Sequence, residues 1–321
     1  MDKVDFNVHK VVLSLAAPIF DIMFTLPQSS DKHEKSSNLV NTPSIIEISE
    51  GSQTMERFLE FCYPTADPVL NTLDDIREML EVMRKYETDQ IRDRVRKLLV
   101  DPKFLARSPL RVFAIAHRYK LADEARIAAK HMLQLPLFGD YVPELEFMTA
   151  GAYHRFEQYY LKCQTTAARS FSKQALGWLP TGLRFTNIFG TTHAIGTAGK
   201  FIWFACRRCA VTDSQIRVSG GVVQPTQWWM DYMQGIALAL AEIPSHSTKL
   251  MSKQMDLALE KAVACEGCRE RVIPEMREFN SMVAAEIDRV ISTVRVFGIH
   301  LFVLLFWLTY FVSQVRLEIK F

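Results

Sequence analysis

The chain has 321 residues, of which 49% are hydrophobic and 23% are charged, and these fractions exclude a disordered tail, a collagen and a low-complexity scaffold. Its 38 basic and 36 acidic residues leave a net charge of +2, so bulk charge gives no reason to predict nucleic acid as a partner. Six cysteines are too few for a secreted scaffold held by disulfides, and we predict a cytoplasmic or nuclear protein of about two domains.

A strand and a broken helix are predicted at the start of the chain. Residues 4–8 alternate between apolar and polar side chains, which predicts a short strand. Residues 11–26 repeat apolar side chains at steps of three and four, which predicts an amphipathic helix. Pro18 lies inside that helix, where a proline costs about 3 kcal/mol, so we predict two short helices instead of one.

Helices dominate the predicted elements that follow. A polar loop near residues 29–38 precedes a second predicted strand at residues 44–49. Ser52 is a candidate N-cap for a helix that ends before Pro64. Four more helices are predicted within residues 74–99, 109–119 and 122–133. Beyond about residue 140 helical stretches predominate.

The first third of the chain resembles the BTB/POZ domain. Its opening pattern is matched by Phe6, Val8, His9, Lys10, Leu13, Phe20, Met23 and Phe24. Residues 45–64 are similar to the next strand and helix of that domain, and Lys85-Tyr86 is similar to a recurring pair in its helical hairpin. Residues 108–133 resemble the helical extension of fungal, basidiomycete-like BTB proteins.

This resemblance implies an α+β fold. Residues 1–138 would form a small BTB/POZ-like α/β domain with a helical extension, and its first strand would be missing because only five residues precede Phe6. Residues 139–295 would form a mostly α-helical module. The resemblance further implies a protein-binding, non-enzymatic role, in which the chain presents a partner protein as an adaptor for a cullin-type ubiquitin ligase or in transcription. The apolar stripe of the helix at residues 11–26 is either core or a dimer face, and the resemblance implies a homodimer with Val12, Ala16 and Phe20 in its interface.

Two CxxC pairs, Cys206-Arg-Arg-Cys209 and Cys265-Glu-Gly-Cys268, form the sharpest chemical pattern in the sequence. Four cysteines can close a tetrahedral zinc site, in which the sulfur atoms lie about 3.5–4 Å apart. The gap of 55 residues between the pairs exceeds the spacing of an ordinary zinc ribbon. A structural zinc site therefore stands beside three alternatives: free buried thiols, a disulfide, and a CxxC-based redox or metal-dependent enzyme.

A hydrophobic segment, residues 296–315, follows the helical module and carries no formally charged side chain. Its twenty residues would span about 30 Å as a helix, which is the thickness of the hydrocarbon core of a bilayer. One interpretation is a transmembrane helix that anchors a scaffold protein by its tail. The other is a buried hydrophobic C-terminal helix, or a non-native tail attached to a soluble protein.

Overall fold

The computed structural model describes residues 4–25, 46–172, 176–178, 185–186, 192–193, 201–209, 212–213, 215–218, 221–245 and 248–295. These residues are mostly helical. The helices are α1 (Lys10–Ala16), α2 (Pro18–Thr25), α3 (Ser52–Cys62), α4 (Leu73–Lys85), α5 (Asp89–Leu99), α6 (Pro102–Arg107), α7 (Pro109–Arg118), α8 (Ala122–Met132), α9 (Ala150–Ser170), α10 (Ile202–Ala205), α11 (Gln227–Glu242), α12 (Thr248–Val263) and α13 (Val272–Thr293). A 3₁₀ turn covers Pro143–Phe147.

The chain divides into two compact units. The first unit consists of Met1–Ala128 and Val142–Phe147, and the second consists of Ala129–Tyr141 and Met148–Phe321. The domain boundary that the sequence suggests at residue 138 stays a prediction.

The predicted α+β class is wrong, because the described part of the first unit contains no strand. Residues 4–8 do alternate, with Phe6 and Val8 half-buried and Asn7 exposed, but no segment among the described residues supplies a ladder of backbone hydrogen bonds to them. Of the other predicted strand, residues 46–49 are irregular and residues 44–45 lie outside the described part of the chain. Alternation of apolar and polar side chains thus indicates an extended chain, whereas a strand also needs a neighbouring segment with which to form backbone hydrogen bonds.

The described strands all belong to the second unit, where they form two short antiparallel hairpins. In one, β1 (Phe185–Thr186) pairs with β2 (Thr192–His193). In the other, β3 (Ile216–Val218) pairs with β4 (Gly221–Val223), with Arg217 opposite Val222. Hairpins of this length do not make a sheet that could support a core, so the packing of helices determines the architecture.

Pro18 divides the N-terminal helix as predicted. α1 ends at Ala16, Ala17 is extended, and Pro18 is the first residue of α2. This position suits proline, because the first residue of a helix needs no backbone N–H for an intrahelical hydrogen bond. The helix predicted before Pro64 is also present, but it begins at Ser52 itself and Gly51 is its N-cap.

Three aromatic rings tie the N-terminal helices of the first unit to its centre. Phe20 of α2 stacks on Tyr86, with ring centroids 4.7 Å apart, and Phe58 of α3 lies 5.4 Å from the same ring. Phe20 and Phe58 are 5% and 0% exposed, respectively. The buried face of α4 completes this core with Ile76, Met79, Leu80 and Met83.

The second unit is built on four packed helices. α11 packs against α9 and α12, and α13 packs against α9 and α12. Phe279 of α13 is fully buried at the centre of an aromatic group, with its ring 5.2 Å from Trp203 and 5.8 Å from Trp229. This group fixes the short helix α10 against α13.

The hydrophobic segment 296–315 lies outside the described residues. Within the described part of the chain, every helix is too short or too polar to cross a bilayer. The tail-anchored scaffold therefore stays a prediction from sequence.

Replacing Phe20 with alanine should lower the free energy of unfolding by about 3–5 kcal/mol, because the change removes a buried ring from the stack with Tyr86. Chemical denaturation of the full chain measures this loss. The matched control is Val69→Ala, which should stay within about 0.5 kcal/mol since Val69 is 73% exposed and lies outside α1 and α2. Equal losses for the two variants would contradict the assignment of Phe20 to the core.

Candidate metal centre and helical interface

The four paired cysteines form one cluster in the second unit. Cys206 Sγ lies 3.7 Å from Cys265 Sγ, and Cys209 Sγ lies 3.5 Å from Cys268 Sγ. All four sulfur atoms lie within 4.8 Å of one another. Both short distances agree with the spacing of sulfur atoms in a tetrahedral thiolate site. The cluster could therefore hold a metal ion.

A helical hairpin brings the two CxxC motifs together. α11 and α12 have 16 residues each and pack against each other, so the end of α12 returns to the level at which α11 begins. The start of α11 is fixed beside α10, because the Thr226 N–H donates to the Trp203 carbonyl oxygen at 2.9 Å. The loop after α12 thereby meets the loop after α10.

Local hydrogen bonds shape the second motif into a tight turn. The N–H groups of Cys268 and Arg269 both donate to the Cys265 carbonyl oxygen, at 3.1 and 3.0 Å. The Val272 N–H donates to the Cys268 carbonyl oxygen at 2.9 Å and leads into α13. The turn points Cys265 and Cys268 to the same side while leaving their thiols free to face the first motif.

Glu275 links the two motifs through a carboxylate. Its Oε2 accepts a hydrogen bond from the Ile202 N–H at 2.6 Å, at the start of α10, and its Oε1 accepts from Arg271 Nε at 2.7 Å. α10 has only four residues, too few to be stable alone, so this contact fixes the helix that ends directly before Cys206. The sequence gives no signal for this role, since a glutamate in the first turn of a helix is ordinary.

Position 267 requires glycine because there is little room for a side chain, and not because of the backbone conformation. Its φ lies outside the left-handed region, so the turn itself does not demand glycine. A Cβ atom at this position would lie 3.1 Å from Cys206 Sγ and 3.7 Å from Cys265 Sγ. The absence of a side chain therefore lets the backbone of the second motif approach the sulfur atom of the first.

The thiols of the cluster differ in acidity. Burial acts to raise the pKa of Cys265, but hydrogen bonds from Cys209 and from the backbone at Cys268 and Gly267 outweigh it and hold that pKa at about 7. Burial raises the pKa of Cys209 to about 11, and it raises the pKa of Cys268 as well. Cys265 is therefore the first of these three thiols to become a thiolate, the form that binds metal.

Two of the four arginines around the cluster form ion pairs with glutamates. A four-thiolate zinc centre carries a formal charge of −2, and the sequence places Arg207, Arg208, Arg269 and Arg271 beside it. In the structure Arg208 pairs with Glu266, and Arg271 pairs with Glu275 at 2.7 Å. Two of the four positive charges are thus offset by carboxylates, and the other two equal in number the formal charge of −2 that a four-thiolate zinc centre would carry.

The other two cysteines lie away from the cluster. Cys62 ends α3 in the first unit and is half-buried, and burial raises its pKa to about 12. Cys163 is buried in α9, and burial raises its pKa to about 11. Neither thiol belongs to the group of four that could hold a metal ion.

The predicted interface residues divide between the core and the surface of the first unit. Phe20 is buried against Tyr86, whereas Val12 and Ala16 are half-buried. The side chains that α1 exposes most are Leu15, at 84%, and Val11, at 70%. They lie four residues apart, on one face of the helix. We call Val11, Leu15 and the 57% exposed Ile22 of α2 the exposed helical face.

Replacing Gly267 with alanine should weaken metal binding at least about tenfold, because the new Cβ would press on Cys206 Sγ and disturb the geometry of the ligands. Titration of the metal-free protein with Co²⁺, followed by the thiolate-to-cobalt absorption, measures the affinity. Gly139→Ala is the matched control, since a Cβ there meets no atom within 4 Å. Equal affinity in the Gly267 variant would show that the close approach is not needed.

A match to a known protein family is found in the first third of the chain. The family model of the BTB/POZ domain matches residues 1–103, a range that includes the exposed helical face and ends before the cysteine cluster. No curated protein and no solved structure gives a significant match to the chain. The family match and the spacing of Phe6, His9, Lys85 and Tyr86 point to the same conclusion. Residues 1–103 of the chain thus match the BTB/POZ domain.

Proposed function

We propose that this protein self-associates through the exposed helical face and presents a partner protein. BTB/POZ domains are protein–protein interaction modules, and residues 1–103 match that family. The observation that carries the proposal is the exposure of Leu15 and Val11 on one side of α1. Adjacent large apolar side chains in water favour an interface, because burying each of them is worth about 1.5–3 kcal/mol.

The contacts beneath this face support a homodimer. Phe20 anchors α2 in the core, and the hydroxyl oxygen of Tyr63 accepts a hydrogen bond from the His9 N–H at 2.9 Å just before α1. α1 and α2 are therefore fixed at both ends, and their outer side chains need little reordering on association. A two-fold axis places the same face on both copies, which suits a self-complementary apolar surface.

The finer roles of the protein rest on its resemblance to fungal BTB proteins. This resemblance supports an adaptor that links a bound protein to a cullin-type ubiquitin ligase or to the transcription machinery, without catalytic activity of its own. Such an adaptor works in the cytoplasm or nucleus.

Replacing Leu15 with aspartate should raise the dissociation constant of the homodimer at least about tenfold, because association would bury a charge in an apolar interface. Analytical ultracentrifugation of the full chain, in a mild detergent that keeps residues 296–315 in solution, measures this change. Leu257→Asp on α12 is the matched control, since Leu257 is also exposed, at 49%, but lies in the second unit. A monomeric parent chain, or equal weakening by both variants, would overturn the proposed interface.

We also propose that the four-cysteine cluster holds a structural zinc ion. Zn²⁺ prefers four thiolates in a closed tetrahedral arrangement, and the sulfur atoms of this cluster lie close enough to share one ion. Cys206, Cys209, Cys265 and Cys268 would be the ligands. The ion would join the end of α10 to the turn before α13, and would stabilise the helical hairpin that lies between the two motifs in the sequence.

The purified full chain should carry one zinc ion per molecule, and Cys268→Ser should reduce that content at least about tenfold since it removes a buried ligand. Metal analysis by mass spectrometry measures the content. A chelator should also lower the melting temperature of the parent chain, because removal of an ion that binds only the folded state destabilises it.

The matched control for this experiment is Cys62→Ser, which changes a half-buried thiol outside the cluster and should leave the zinc content unchanged. A parent chain without bound metal would contradict the zinc proposal. If that metal-free chain also catalysed thiol–disulfide exchange, the redox enzyme would replace the structural site as the better interpretation.

A further inference from the structure

The sulfur atoms of the cluster form two close contacts that both cross between the motifs. Cys206 Sγ and Cys265 Sγ are 3.7 Å apart, and Cys209 Sγ and Cys268 Sγ are 3.5 Å apart. Each contact joins residues that are 59 positions apart in the sequence. A covalent bond at either contact would therefore hold the same two loops together that a metal ion would hold.

Each of the two contacts includes a thiol that a small solute can reach. Cys206, Cys209 and Cys265 are half-buried, whereas Cys268 is fully buried. The contact between Cys209 and Cys268 thus pairs an accessible sulfur with a protected one. This arrangement suits oxidation in two stages, in which the accessible thiol reacts first and the neighbouring thiol resolves the product.

We propose that the cluster is a redox-sensitive clasp, in which hydrogen peroxide converts the four thiolates into two disulfides, Cys206–Cys265 and Cys209–Cys268, and expels any bound zinc. The inference deepens the proposed zinc site and rests on it only for the release of metal. Disulfides that cross between the motifs keep the two loops joined. Disulfides within each CxxC motif would instead leave them unconnected.

The chemistry balances for each disulfide. One thiolate attacks a peroxide oxygen, the O–O bond breaks, and a sulfenic acid and a hydroxide ion form. The second thiolate attacks the sulfenic sulfur, the S–S bond forms, and hydroxide leaves with the electron pair of the S–O bond. Two peroxide molecules thus take four electrons from four thiolates, and the zinc ion leaves with its charge of +2 unchanged.

Treatment of the zinc-loaded full chain with hydrogen peroxide tests the proposal. We expect two peroxide molecules consumed and one zinc ion released per chain, with reversal by dithiothreitol and renewed zinc. Trypsin cleaves after Arg207 and Arg208 and so separates Cys206 from Cys209. Glutamyl endopeptidase cleaves after Glu266 and separates Cys265 from Cys268. Mass spectrometry of the unreduced digest then identifies which sulfur atoms are joined.

A matched variant isolates one bridge. The double variant Cys206→Ser with Cys265→Ser should consume one peroxide molecule and form only the Cys209–Cys268 disulfide. Cys62 and Cys163 should not join either disulfide in any sample, because they lie outside the cluster. In thermal melts the oxidised parent chain should unfold within a few degrees of the zinc-loaded chain, whereas the reduced, chelated chain should unfold earlier.

The possible outcomes separate this inference from the zinc proposal. Disulfides within the motifs, diagonal disulfides as the main product, or oxidation that stops at sulfinic acids would each overturn the clasp, even if zinc is bound. Bridges that cross between the motifs in a chain that never held zinc would support the clasp and contradict the metal site.

Discussion

Tyr86 joins three segments of the first unit, and the position of the exposed helical face depends on it. Its ring stacks on Phe20 of α2, and its hydroxyl donates a hydrogen bond to Glu50 Oε2 at 2.8 Å. Lys85 adds an ion pair to the other oxygen of Glu50 at 2.5 Å. Burial acts to raise the pKa of Glu50, but these two hydrogen bonds lower it, so the carboxylate keeps its charge while it holds the segment before α3. The Lys85-Tyr86 pair thus connects the end of α4 to α2 and to the segment before α3.

These contacts explain how the described part of the N-terminal segment, which contains no strand, can still present an interface. A strand would fix the segment by a ladder of backbone hydrogen bonds. Here contacts of side chains fix the segment instead. The stacking of Phe20 on Tyr86 fixes α2, and the hydrogen bond from the His9 N–H to the Tyr63 hydroxyl oxygen fixes the start of α1. Because the inward side chains are buried in the core, the outward Leu15 stays 84% exposed and remains available for association. Burial of Phe20 and exposure of Leu15 are two consequences of the same packing.

The sequence allowed most helices to be predicted but neither the fold class nor the assembly of the cluster. Helices at residues 109–119 and 122–133 are found within one residue of these bounds, because apolar periodicity and flanking turns act locally. The strand at residues 4–8 was predicted wrongly, since alternation cannot reveal whether a partner segment lies alongside. The CxxC motifs identified four candidate ligands, but their meeting depends on two helices of equal length that return the chain. That information lies in tertiary packing, not in the spacing of the cysteines.

The aromatic group beside the cluster explains how the first CxxC motif is held in position although the helix before it, α10, is short. α10 is too short to hold Cys206 in place by itself, yet Trp203 within it is fully buried between Phe279 and Trp229. Large buried rings of this kind dominate the packing energy of a core. The hydrogen bond from the Ile202 N–H to Glu275 Oε2 fixes the orientation of α10 within that packing. Since these contacts involve no sulfur atom, the first motif is positioned before any bond forms at the cluster, and a metal ion or a pair of disulfides needs only to fasten loops that already meet.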